Sequence, residues 1–280
     1  MALSIFTNGS SMASVNALNK SNSMLSTAME RLGTGKRINS AADDAAGLQI
    51  ASRLQGQSNG MAVAQRNISD ATALLQTAEG AFDEVSNIMY RMKDLATQAA
   101  NDTNTTKDRE AITSELTELN AELTNIMGNT SYGGDKLFGA SGKLASAMNF
   151  QIGSSASEAM KVDLSGTLAS TASDISTLSG SLNITDATSA QTLITNLETS
   201  LESVGTIRSS LGANINRLGH TAANLANMKD NTELALGNIR DADFATEAST
   251  MTRNQMLAQT SMSMLKQSNS MSGMVMSLLG

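Results

Sequence analysis

The chain contains a single histidine, His220, and no cysteine. Acid–base, metal and thiol chemistry draw on those two side chains more than on any others. With one imidazole, neither a two-histidine metal site nor an HExxH helix is available within the chain. His220 also falls off the heptad lines described below, so it is expected to be a solvated helix position. No GxxxxGK[ST] loop and no GxGxxG turn occurs, and the residues around His220 do not resemble a nucleophile elbow. The acidic neighbours Asp43-Asp44 and Asp83-Glu84 suit capped or solvated helix faces better than a catalytic pair. Methionines crowd residues 251–276 at helical spacing. That pattern points to an adaptable apolar interface rather than to soft-metal ligation. No enzymatic activity, cofactor or metal is expected.

What remains is helix. Pro is absent, which suits long uninterrupted helices because Pro breaks helix interiors. Aromatics are 2% of the chain, too few for a thick globular core, so thin helix–helix seams are expected. The sequence predicts a first amphipathic helix over residues 1–32, with Val15, Leu18, Asn22, Leu25, Met29 and Leu32 stepping as a heptad seam. Asn22 there reads as a register-setting polar member. Gly33-Thr34-Gly35 ends it. Ser40 followed by Asp43 reads as an N-cap opening a short helix toward Leu54, and Gly56 and Gly60 as a further loop.

From Met61 the seven-residue period becomes long. Met61, Ile68, Leu75, Phe82, Met89 and Ala96 form one line, and Ala64, Ala71, Ala78, Val85, Met92 and Ala99 another. That is about 60 Å of helix. A polar turn at 101–105 leads to a second, antiparallel helix carrying Ile112, Leu116, Leu119, Leu123 and Ile126. Residues 131–165 carry turn chemistry and two alternating runs that predict a β-hairpin. Residues 165–189 are Ser/Thr-rich and are expected to be loose and exposed. A long helix follows on the line Ala190, Leu197, Val204, Leu211, Leu218, Leu225, Thr232 and Ile239. Asp241 and Asp243 then place carboxylates at the start of a final helix, where the helix dipole favours them.

That final helix, Phe244 to Gly280, is too apolar to stand alone. Leu257, Met264, Met271 and Leu278 make one heptad line, Met251, Ala258 and Leu265 another. One partner helix would cover one seam and leave the rest wet, so packing against its own chain and against other copies is expected. The net charge is −7 with no large basic cluster, which disfavours nucleic acid and anionic membranes. No apolar run is long enough to span a bilayer, and the N-terminus does not read as a signal peptide.

Residues 32–48, LGTGKRINSAADDAAGL, together with LQTAEGA at 75–81, IRDADFATE at 239–247 and the closing SLLG, resemble the conserved blocks of bacterial flagellins, the filament subunits of the flagellum. The resemblance covers about residues 1–165 and 185–280. It implies a mainly α fold: a long coiled-coil-like rod, paired terminal helices lining an inner channel, and a small β-hairpin region at the outer end. Residues 1–44 with 236–280 would be the terminal pair, and 45–235 the rod. Val15, Leu18, Leu25, Met29, Leu32, Leu257, Met264, Leu265, Met271 and Leu278 would carry self-assembly. Arg37, Asn39, Asp43 and Asp44 would form the connector.

The implied partners are copies of the chain in a helical filament, an export chaperone holding the last helix, and cap and junction proteins. Secretion through the flagellar type III apparatus and an extracellular location follow from the same resemblance. A vertebrate Toll-like receptor is a further implied partner, with Arg91, Leu95 and Glu115 as the matching positions. The rival readings are a flagellin-related hook–filament junction protein and, from another class, a signalling coiled coil.

Overall fold

A computed structural model describes residues 8–279, with side chains given through Met271. The chain divides into two compact units, one made of residues 1–57 and 231–280, the other of residues 58–230. Helix α1 spans Gly9–Thr34, α2 Ala45–Ala99, α3 Thr106–Asn129, α4 Ser165–Gly180, α5 Ala187–Arg240 and α6 Phe244–Leu279. Strand β1 (Ser131–Tyr132) pairs with β2 (Asp135–Lys136), and β3 (Met148–Gln151) with β4 (Ala159–Val162), both antiparallel.

The unit of residues 58–230 is built as its heptad lines require. Both lines of α2, from Met61 to Ala99, are buried. They meet Ile112, Leu116 and Leu123 of α3 and the line Ala190 to Leu225 of α5 in one continuous core. The Ala-rich second line keeps the helices close. Ion pairs bridge the helices: Arg91 of α2 with Glu115 of α3 at 2.7 Å, and Arg208 of α5 with Glu79 and Asp83 of α2 at 2.9 and 2.8 Å. At the α2–α3 turn, Thr105 and Asp108 form a capping box. Arg109 donates to the carbonyls of Ala99 and Asn101, satisfying the end of α2.

Three expectations are corrected along the chain. Gly56 and Gly60 do not make a loop; α2 runs through both. Ser40 does not cap α2. Asp44 does, its Oδ1 accepting from the Gly47 amide at 2.9 Å, while Ser40 and Asp43 form the turn before it. Residues 165–189 are not loose. Leu168, Thr171, Ile175 and Leu178 step by 3, 4 and 3 and are buried on one face of α4, and Leu182 and Ile184 continue that core. The Ser/Thr-rich composition had masked an amphipathic helix.

In the other unit α1 and α6 pack side by side and antiparallel. Asn8 at the start of α1 reaches Ser268, and Arg31 near its end reaches Glu247. Residues 1–7, which the predicted first helix includes, lie outside the described residues, as does the side chain of Leu278.

Candidate assembly surface and its connector

The seam between α1 and α6 is lined by small residues. Ser21 and Ala28 of α1 are buried, as are Asn254, Ala258 and Ser268 of α6. Small side chains bring helix axes close, and none of these residues is large enough to fill a wider gap. Leu18, Leu25 and Leu32 of α1 and Leu265 of α6 flank the seam, half-buried. Of the predicted seam, Leu18, Leu25 and Leu32 keep their places, while the alternate line shifts by one position. Asn22 is exposed and Ser21 takes its place; Met29 is exposed and Ala28 takes its place.

The largest apolar side chains lie outside the seam. Met12, Val15, Met24 and Met29 of α1 are exposed, and so are Met256, Leu257, Met262, Met264 and Met271 of α6. Met264 is 60% exposed and Met271 52%. Charge is nearly absent from the same stretches. Lys20 is the one charged side chain between Gly9 and Met29, and Lys266 the one between Asn254 and Leu279. Large exposed apolar side chains this numerous, on stretches this poor in charge, suit an interaction surface.

The ends of the pair are clamped. Asn8 caps α1, its Oδ1 accepting from the amides of Ser10 and Ser11, while its Nδ2 donates to Ser268 Oγ at 2.9 Å. At the other end Arg31 donates to Glu247 at 3.0 Å, with the carboxylate largely buried. Neither clamp is visible in the apolar periodicity, although Asn8-Gly9 carries an N-cap signature.

The connector joins α1 to α2 while holding the α5–α6 junction. Gly35 closes α1 in the left-handed conformation, φ 71°, its amide donating to Arg31 O at 2.8 Å. The Phe244 ring lies 3.9 Å from where a Cβ on Gly35 would stand. Lys36 forms an isolated antiparallel bridge with Asp241, with Arg37 N donating to Arg240 O and Ala242 N to Gly35 O. The Arg37 guanidinium donates to Ile239 O at 2.8 Å, at the carbonyl end of α5 where a cation is favoured. Asn39 Nδ2 donates to Lys36 O.

Asp43 then gathers the amides of Asn39 and Ser40 and the Ser40 hydroxyl on one carboxylate oxygen. The Ser40 amide first, then that of Asn39, holds its pKa below the ordinary carboxylate value. Ile38 is buried beside Gly47, where a Cβ would run into the Asp44 carboxylate and come within 2.8 Å of Ile38 Cδ1. Gly35, Arg37, Ile38, Asn39, Asp43, Asp44 and Gly47 thus each have a structural task. Asp243 serves the same end at α6: Thr246 Oγ1, then the Ala245 amide, holds its pKa down.

The remaining expected positions lie on the rod unit. Arg91 and Glu115 pair with each other and are exposed. Leu95 does not join them at the surface; it is 3% exposed and belongs to the α2 core. His220 is exposed on α5. No group of three or more His, Cys, Asp or Glu side chains among the described residues is gathered to hold a metal ion, and no described helix is long and apolar enough to cross a membrane.

A helical rod unit and a close-packed terminal pair, with the largest apolar side chains turned outward, define a structural subunit. Comparison with known proteins makes the class specific. Residues 5–143 match the bacterial flagellin N-terminal helical region, and residues 194–279 the C-terminal helical region. The chain is 40% identical over 255 residues to flagellin of Halalkalibacterium halodurans, covering 90% of each chain. It is 32% identical to polar flagellin F of Vibrio parahaemolyticus, with both chains fully covered.

The chain belongs to the bacterial flagellin family. It is a structural subunit of the flagellar filament, not an enzyme. Among solved structures it is similar to Bacillus cereus flagellin, at 34% identity over 57% of this chain and 88% of that one, with a TM-score of 0.48. It is also similar to a protein described as flagellar hook-associated from Vibrio parahaemolyticus, with a TM-score of 0.60. That likeness covers 71% of this chain and all of the other at 16% identity, and it concerns the fold alone.

Proposed function

We propose that the subunit polymerises by pressing the outward apolar faces of α1 and α6 against helices of neighbouring copies. One observation carries this reading. Small residues close the seam inside the chain, leaving Met12, Val15, Met29, Leu257, Met264 and Met271 uncovered. Each Leu or Met side chain buried on assembly contributes on the order of 1.5–3 kcal/mol before ordering costs. A few such residues from each helix suffice for a stable polymer. Because different patches meet, the contacts propagate as an open helix. Leu18, Leu25, Leu32 and Leu265 join the same surface from the flanks of the seam, and Leu278 continues its line. Arg37, Asn39, Asp43 and Asp44 hold the helix ends that present it. In this reading the terminal pair is residues 1–57 with 231–280, wider than the sequence division at 44 and 236.

The finer partners belong to the same proposal. Before assembly, α6 needs cover, which suits an export chaperone; family membership supports type III secretion, an extracellular filament, and cap and junction proteins as further parts of the proposal. Arg91 and Glu115, exposed on adjacent helices, are the side chains offered to a Toll-like receptor. Leu95, buried in the core, is not offered with them.

The test is deletion of residues 260–280. Circular dichroism should still report a helical rod, while seeded elongation, followed by electron microscopy, should stop. Long filaments from the truncated chain would overturn the proposal. Short rings from the intact chain would favour the junction-protein reading.

A further inference from the structure

Two groups of methionines stand at opposite ends of the range of exposure, with Met127, Met148 and Met251 intermediate and Met228 exposed on α5. Met61, Met89, Met92 and Met160 lie in the rod core at 4% exposure or less. Met256, Met262, Met264 and Met271 of α6 are all exposed, as are Met12, Met24 and Met29 of α1. Leu, Ile or Phe would bury as much apolar area. What Met adds, besides adaptability, is an oxidisable thioether. The sulfurs open to solvent before assembly are therefore on the surface that must become dry during it.

We propose that the exposed methionines of α6 and α1 form a peroxide-sensitive modification site that controls whether a free subunit can join the polymer. This rests on the assembly reading above. A hydroperoxide gives one oxygen to the thioether: the O–O bond breaks, an S=O bond forms, sulfur is oxidised by two electrons, and water or an alcohol leaves. The product is a polar, hydrogen-bond-accepting sulfoxide. Burying it at an apolar helix–helix contact is unfavourable wherever no hydroxyl or amide donor reaches it, and charged donors are scarce in these stretches. Lys20 and Lys266 are their only charged side chains. In the polymer the same thioethers are covered, so assembly protects them. Met61, Met89, Met92 and Met160 of the rod core are protected in both states, whereas Met228, exposed on α5, is not.

The experiment treats free subunits and finished filaments in parallel with dilute hydrogen peroxide, maps sulfoxides by peptide mass spectrometry, and measures elongation of the free subunits on untreated seeds. In free subunits Met256, Met262, Met264 and Met271 should oxidise well ahead of Met61, Met89 and Met92. Elongation should fall by about tenfold or more, and recover after treatment with methionine sulfoxide reductase and a thiol. In filaments the same sites should remain reduced. A variant with Met256, Met262, Met264 and Met271 replaced by Leu should elongate after peroxide treatment.

Oxidised subunits that elongate at the untreated rate, or filament sites that oxidise as fast as free ones, would overturn the proposal. Untreated subunits that never elongate would overturn the assembly reading, and this proposal with it.

Discussion

Gly60 and Ser154 touch. Gly60 lies inside α2, and a Cβ there would stand 2.6 Å from Ser154 Cβ and 3.2 Å from its Cα. The loop between β3 and β4 therefore sits directly on the helix backbone, and Asn67, two turns on, donates to Gln151 O to hold it. Elsewhere on α2, Gly80 has nothing within 4 Å of its Cβ position. Gly80→Ala should stabilise the chain by about 0.4–1 kcal/mol through unfolded-state entropy. Gly60→Ala should instead destabilise it by about 1–3 kcal/mol, because the hairpin must shift. Thermal unfolding of the two variants checks this; equal shifts would mean that the Ser154 contact places no demand on residue 60.

Gly47 makes a comparable demand in the connector. Its missing side chain leaves room for the Asp44 carboxylate that caps α2 and for Ile38 Cδ1. Gly47→Ala should displace both and cost about 1–3 kcal/mol. The loss should be local. Amide hydrogen exchange should quicken at Ile38 to Leu48 and leave the α2–α3 core from Met61 to Leu123 unchanged.

Five aspartates at turns and helix starts share one electrostatic signature. Asp43, Asp108, Asp163, Asp186 and Asp243 all have pKa values lowered by hydrogen bonds from Ser, Thr or backbone donors. A carboxylate whose folded pKa lies below its unfolded value contributes stability above the unfolded value. That contribution is lost as pH falls through the folded one. The melting temperature should therefore be insensitive to these groups between about pH 5 and 8, and should drop below about pH 4. Asp43→Asn with Asp243→Asn should flatten the drop. An unchanged acid slope in that double variant would remove these two caps as its cause.

The heptad lines were legible because each is a run of large or small apolar residues at a constant spacing. Leu197, Val204, Leu211 and Leu218 of α5 are all fully buried where the spacing puts them. The hairpin was legible for the same reason at period two. Gly60 was not, because a helical glycine and a loop glycine are the same letter until Ser154 is seen beside it. Helix α4 was not, because Thr171 occupies a core position that composition counts as polar. The α1–α6 seam keeps Leu18, Leu25 and Leu32 but takes Ser21 and Ala28 in place of Asn22 and Met29, because apolar size alone does not mark the intrachain contact. Size marks what is buried eventually, and the sequence of one chain does not say which copy does the burying.

Leu257 and Ala258 put that distinction to a direct test. They are neighbours on α6, yet Ala258 is 6% exposed in the seam with α1 and Leu257 is 47% exposed outside it. Ala258→Leu inserts volume where the two helices approach closely, and should cost about 1–3 kcal/mol in the free subunit. Leu257→Ser removes no intrachain core contact, so the free subunit should melt within about 0.5 kcal/mol of the parent. Its effect should appear on assembly, where a large apolar group is missing from the face offered to the next copy. Elongation on seeds should slow, and the critical concentration should rise by about tenfold for each 1.4 kcal/mol of burial lost. If Leu257→Ser instead melts the free subunit and Ala258→Leu does not, the seam runs through the large residues after all. If neither changes elongation, α6 does not supply the contact that propagates the filament.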